Sequence, residues 1–162
     1  MRFCRPDYQF SRASEITPEF LEREGYKGLL LDLDNTLLPH GGEGRVPEDL
    51  RSWVAELLAR GYRLALVTNA TPERVARAAE ELEVPALAMA AKPLPRGFRW
   101  GLGVLGLDRG KVLVVGDQVF TDVLGGKIMG LATALVEPLA PGGLPHTRCL
   151  RRVELWCRKR WG

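Results

Sequence analysis

Side-chain amides are scarce in this 162-residue chain: two asparagines, Asn35 and Asn69, and two glutamines, Gln9 and Gln118. Three of these four fall in the polar segments described below, so the few that are kept are expected to make specific hydrogen bonds. Cysteine is scarce too. Cys4, Cys149 and Cys157 are odd in number and match no metal-ligand spacing, which points to free thiols in a reducing cytoplasm. The N-terminus lacks an uninterrupted apolar stretch, so no signal peptide is expected, and no run approaches the length of a membrane span. There is no internal repeat. With 46% hydrophobic residues the chain has enough apolar surface for one soluble, cytoplasmic domain covering 1–162, and room for little else.

Carboxylates stand where a core would not put them. The apolar run 28–31 reads as a buried parallel strand, and Asp32-Leu33-Asp34-Asn35-Thr36 follows it immediately. Two acids one residue apart at a strand's carboxyl end suit a hard cation and a phosphoryl group. Polar residues follow later strands in the same way: Thr68-Asn69, Lys92-Pro93, and Gly116-Asp117-Gln118 running to Thr121-Asp122.

The rest of the chain alternates helix and strand. Positions 47–60 carry Leu50, Trp53, Val54, Leu57 and Leu58 on one face, between Pro47 and Gly61, and predict an amphipathic helix. A second strand is expected over 63–67, then a helix capped by Thr71 with Pro72 at its first position. A weaker strand is expected at 86–90, a glycine-containing helix at 98–105, a strand at 112–115, a short helix near 122–129 and a fifth strand at 132–136. This pattern predicts an α/β fold, a parallel sheet covered on both faces, with its core over about 27–136. The polar groups after the first, second and fourth strands converge only if the first strand lies between the other two, with Asp32 and Asp34 at the switch point. A Pro/Gly-rich loop, 138–145, then leads to a basic C-terminal helix over about 147–161.

Taken together, Asp32-Leu33-Asp34-Asn35-Thr36, Thr68-Asn69, Lys92-Pro93 and Gly116-Asp117 through Thr121-Asp122 resemble the four ordered motifs of the haloacid dehalogenase (HAD) superfamily of phosphatases. Arg5-Pro6-Asp7-Tyr8 and Thr121-Asp122-Val123-Leu124-Gly125-Gly126 resemble its capless bacterial subfamily IIIA, a branch similar to phosphatidylglycerophosphate phosphatases. The resemblance implies a three-layer Rossmann-like fold. It implies Asp32 as a nucleophile that forms an aspartyl-phosphate, and Asp34 as the acid that protonates the leaving oxygen and then the base that activates water. That acid role calls for a raised pKa, which a nearby anion would supply. It further implies Mg²⁺ held by Asp32, the main-chain carbonyl of Asp34, and Asp117. Thr68 and the amide of Asn69 are expected to hold phosphoryl oxygens, Lys92 to neutralise their charge, and Asp122 to orient Lys92 or a metal-bound water. Asn35 and Thr36 are expected to play supporting roles. His40 and His146 are read as loop residues without a role.

Members of the superfamily that act on small metabolites usually carry a cap domain, and neither 36–68 nor 69–92 has room for one. An open crevice suits a substrate too large to enclose. From Arg148 onward six basic residues face one acid, Glu154, a formal +5 in a chain that totals +3. With Trp156 and Trp161 this helix is either a peripheral membrane contact or a packing element with a solvated basic face. No RNA-binding motif accompanies it, which argues against nucleic acid. The expected substrate is phosphatidylglycerophosphate or a similar lipid phosphate. A soluble sugar phosphate, a nucleotide or a nucleic-acid 3′-phosphate is the alternative, as is a non-catalytic binding protein on a phosphatase scaffold. The sequence leaves oligomeric state open.

Overall fold

The computed structural model describes residues 4–40 and 44–140. The expected basic helix, with His146, Cys149, Cys157, Trp156 and Trp161, lies outside them.

Six parallel strands form one sheet in the order β1-β6-β5-β2-β3-β4. They are β1 (Tyr8–Phe10), β2 (Gly28–Leu31), β3 (Arg63–Val67), β4 (Ala86–Leu87), β5 (Val112–Gly116) and β6 (Ala132–Val136). The first strand of the sequence reading is β2, and it lies between β3 and β5 as the convergence of polar groups requires. Leu31, the end of β2, aligns with Leu66 and Val115, each one residue before the end of its own strand, so the three strands release their next residues into one crevice. Among the described residues no separate cap covers it.

The strands' two faces bury different helices, because successive side chains point to opposite sides. Leu29 and Leu31, with Leu64, Leu66, Leu113 and Val115, pack on α1 (Pro18–Glu24), α2 (Glu48–Ala59) and α3 (Pro72–Leu82). Leu30, with Ala65, Val67, Val112 and Val114, packs on α4 (Pro95–Leu105) and the end of α5 (Leu124–Ile128). Both neighbours of β2 are strands and both its faces are covered, which is why 28–31 is apolar throughout. Each of its leucines is fully buried or nearly so, worth about 1.5–3 kcal/mol by transfer. Two glycines of α4, Gly97 and Gly101, are explained by close approach to the sheet: a Cβ on Gly101 would lie 2.6 Å from Leu30 Cδ2.

The N-terminal segment was not assigned from sequence. It adds β1 at the edge beside β6, and α1 below it. Asp7 fixes this edge by accepting from the Thr133 backbone N–H at 2.8 Å and pairing with Lys127. Trp53 of α2 donates its indole N–H to the Ile16 carbonyl at 2.8 Å, tying the same segment to the helical layer. Two expected bounds shift. The strand at 86–90 is only two residues long, and α4 begins three residues early, at Pro95.

Candidate active site

The central strand delivers Asp32. Its backbone N–H still donates to the Val115 carbonyl at 2.9 Å, so the sheet ladder itself fixes where the carboxylate emerges. The chain then turns at once: the N–H groups of Leu37 and Leu38 both donate to the Leu33 carbonyl, at 2.9 and 3.0 Å. Asn35 occupies the left-handed region at φ 60°, which asparagine tolerates better than most residues. Its side-chain oxygen accepts from the His40 N–H at 3.1 Å, so this amide holds the loop together. Thr36 is buried beneath that loop, and its hydroxyl has no hydrogen-bond partner among the described residues.

The end of β3 delivers Thr68, whose hydroxyl accepts from the Ala70 N–H at 3.2 Å and stabilises the turn into α3. Asn69 spends its side-chain amide on the next segment. Its Oδ1 accepts from the Lys92 N–H at 2.8 Å, and its Nδ2 donates to the Lys92 carbonyl at 3.1 Å. Asn69 thereby clamps the backbone of Lys92, which is joined to Pro93 by a cis peptide bond. Thr68 and Asn69 therefore flank the site, and the asparagine side chain positions a lysine rather than reaching outward for an anion.

Lys92 is the hub. Its ammonium donates to Asp32 Oδ1 at 2.7 Å and to Asp122 Oδ1 at 2.6 Å, with only 3% of its side chain exposed. Burial pulls its pKa down, but the carboxylates of Asp122 and Asp32 more than reverse this, so the group stays charged. Asp122 is pushed up to about 6, by burial first and by the charge of Asp32, while Lys92 opposes both. The second oxygen of Asp122 accepts from the Gln118 N–H at 3.1 Å. With both oxygens engaged, Asp122 has the contacts of a residue that orients Lys92.

A π-helical turn, Val119–Val123, places Asp122 there, a rare local distortion that is frequent at functional sites. It replaces the start of the helix expected near 122–129. Gly116 makes the approach feasible: a Cβ at that position would lie 2.2 Å from Asp122 Cγ. Asp117, one residue beyond β5, completes the group, and Asp32, Asp117 and Asp122 each offer an oxygen within 4.8 Å of the others. Among the described residues three buried carboxylates gather at one ammonium, and negative charge crowded in a low dielectric is costly unless a cation joins it. The donor set is all oxygen and hard, so it fits a divalent cation such as Mg²⁺ and suits soft or thiophilic metals poorly.

Asp34 is partly exposed, and its neighbour is a cation rather than the expected anion. Arg74, in the first turn of α3, donates Nε to Asp34 Oδ1 at 2.6 Å and Nη2 to the Pro39 carbonyl at 2.7 Å. His40 Nδ1 lies 3.9 Å from the other oxygen of Asp34. Sequence reasoning missed Arg74. The available signal was a cation in the first turn of a helix, where the dipole disfavours it and a nearby carboxylate is needed to hold it.

Comparisons with known proteins show the family. The family model of the haloacid dehalogenase-like hydrolases matches residues 41–130. The chain is 35% identical over 153 residues to the Bacillus subtilis protein named "Probable phosphatase YqeG", covering 94% of this chain and 88% of that one. It is 29% identical over 177 residues to phosphatidylglycerophosphate phosphatase 1 of Arabidopsis thaliana, and spans 49% of that protein's length. Among solved structures, the cobalt-bound deoxy-D-mannose-octulosonate 8-phosphate phosphatase of Haemophilus influenzae matches with a TM-score of 0.57 at 15% identity. That match covers 73% of this chain and 72% of the other, a likeness of fold. On its motifs, its sheet order and these matches, the chain belongs to the haloacid dehalogenase-like hydrolases, as a phosphatase of that family.

Proposed function

We propose that the protein is a magnesium-dependent phosphomonoesterase working through an aspartyl-phosphate at Asp32, with phosphatidylglycerophosphate or a similar lipid phosphate as substrate. The observation that carries this reading is the Asp32 carboxylate at the end of the central strand, held at 2.7 Å by the buried Lys92 ammonium. A carboxylate so fixed is aimed for in-line attack and spends little on reorganisation.

In the first step an oxygen of Asp32 attacks phosphorus, the ester P–O bond breaks, and Asp34 gives its proton to the departing alkoxide. In the second, Asp34 takes a proton from water as the water attacks the aspartyl-phosphate, and inorganic phosphate leaves with Asp32 restored. Lys92 balances charge on the equatorial oxygens in both steps, held in place by Asp122 and by the Asn69 clamp. Thr68 adds a hydrogen bond to a phosphoryl oxygen. Mg²⁺ held by Asp32, the Asp34 carbonyl and Asp117 would supply a further positive charge to the phosphoryl group.

Two features favour a substrate presented at a surface. The crevice has no cap among the described residues, and the loop that carries Lys92 exposes Met89 and Leu94 at 63% and 61%. Large exposed apolar side chains beside an open site suit a lipid aggregate better than a free metabolite. The name of the Arabidopsis relative supports the same lipid headgroup. No described helix is long and apolar enough to cross a membrane.

A phosphate-release screen with magnesium tests the reading, setting micellar phosphatidylglycerophosphate beside glycerol 3-phosphate, hexose phosphates, mononucleotides and a 3′-phosphorylated oligonucleotide. Preference for the lipid supports it. Turnover confined to a soluble ester would replace the substrate, and no turnover at all would leave a binding protein.

A further inference from the structure

Beside the carboxylate cluster, and separate from it, lies a cavity of about 640 Å³ between α3 and the loop that follows Asp34. Arg74, Arg77, Thr71, Leu38, Val46 and Ala78 help to line it, whereas Asp32, Lys92, Asp117 and Asp122 do not. Arg74 and Arg77 are three apart on one helix, so their side chains share a face. Arg74 reaches Asp34 itself, which places this cavity on the side where a leaving group departs.

Charges of both signs line the cavity. Arg51 is already balanced by Glu48 and Glu81. Arg77 is exposed and forms no ion pair among the described residues, although Glu73 and Glu80 stand one turn to either side of it on α3. The acids Glu73, Glu80 and Glu81 also line the cavity, as does Arg45; Glu73 adjoins Arg74 in sequence, and Glu81 is roughly 10 Å along the helix axis from it. Arg45, Arg74 and Arg77 thus line the cavity together with these acids, and the α3 N-terminus adds positive potential at the end next to Asp34. What the arrangement offers an anion near the reaction centre is two guanidinium groups on one helix face.

We infer that Arg74 and Arg77 form a subsite for a second anion carried by the leaving group, a phosphodiester one glycerol unit from the scissile monoester. The inference rests on the phosphatase reading above and deepens it. A diester oxygen pair matches the planar guanidinium fork, and the Thr71 hydroxyl offers one further donor. Occupation of the subsite draws Arg74 from Asp34 toward the substrate, so the acid is released where a leaving group of the right chemistry is present. Arg74 is thus a specificity residue for the leaving group, and in its absence a partner that holds Asp34 in place.

The test compares kcat/KM for three substrates: glycerol 3-phosphate, the soluble deacylated headgroup glycerophosphoglycerol phosphate, and the intact lipid in detergent micelles. In wild type the headgroup is preferred over glycerol 3-phosphate. In Arg77→Ala the ratio of the two falls by about tenfold or more, as loss of a charge-assisted hydrogen bond implies, and the change appears in KM. Arg77→Glu lowers the ratio further, and thermal melting confirms that both variants fold. An unchanged ratio overturns the subsite and leaves the phosphatase intact. A loss seen only with micelles also overturns it, because Arg77 would then read a lipid surface and not the diester. Absence of phosphate release from every substrate in wild type overturns both readings.

Discussion

A single lysine holds the centre of this site, and two residue-scale predictions follow from its surroundings. Lys92 is buried between Asp32 and Asp122. Replacing it by methionine leaves both carboxylates buried without their cation, and breaking a buried pair in this way costs about 3–5 kcal/mol. Urea unfolding of Lys92→Met in excess chelator should show that loss, and adding Asp122→Asn should recover part of it. Wild-type stability in the single variant would mean that the ammonium is not what balances these acids. Gly116 makes the second case. A methyl group there collides with Asp122, which must then move and take Lys92 with it. Displacement on the ångström scale costs on the order of a hundredfold in rate, so Gly116→Ala should lose about that in kcat/KM. Near-normal turnover would show that Asp122 does not need its present position.

At the scale of elements, α4 is placed by what it lacks. Alanine is favoured over glycine inside a helix by about 1 kcal/mol, yet Gly101→Ala should destabilise the protein by about 1–3 kcal/mol, because its Cβ would overlap Leu30 on β2. Denaturant unfolding measures the sign, and a stabilised variant would contradict the close packing. Much of this architecture was legible in the sequence. The strands 63–67 and 132–136 were read with their observed bounds, because apolar runs between turn residues locate buried strands well. The place of β2 between β3 and β5 followed from where the polar residues had to meet. The N-terminal elements were not read, although Thr17, Pro18 and Gly25 give α1 the same cap and stop signals that revealed α3 and α2. Three residues of β1 alternate too briefly to register a period, and its pairing with β6 is a long-range contact that no local pattern encodes. In the site, the carboxylates and Lys92 were legible because buried charge at strand ends has few structural uses. Arg74 was not, since its partnership with Asp34 spans 40 residues of sequence. Nor was the use of the Asn69 side chain as a clamp, which depends on how the Lys92 loop returns.

For the molecule as a whole, the account requires a cation and a surface. Chelation should abolish phosphate release and magnesium should restore it. Calcium should restore it poorly, since it prefers more ligands at longer distances. Full activity in excess chelator would remove the metal from the account. The basic segment from Arg148 to Gly162 is proposed to recruit the protein to anionic lipid, each cation near such a surface contributing about 1 kcal/mol. Binding to anionic vesicles should weaken steeply with salt, and deletion of 148–162 should lower turnover of vesicle-borne lipid phosphate more than that of a soluble ester. Equal losses would make the segment a packing element. Above these stands the claim that Asp32 is the atom donor in a two-step displacement. Rapid quench of the working enzyme followed by mass spectrometry tests it most directly. The account predicts a transient, hydroxylamine-labile phosphoryl group on Asp32, and no phosphoryl enzyme and only background turnover in a folded Asp32→Asn variant. Sustained hydrolysis by Asp32→Asn, or a phosphoryl group on another residue, would contradict it.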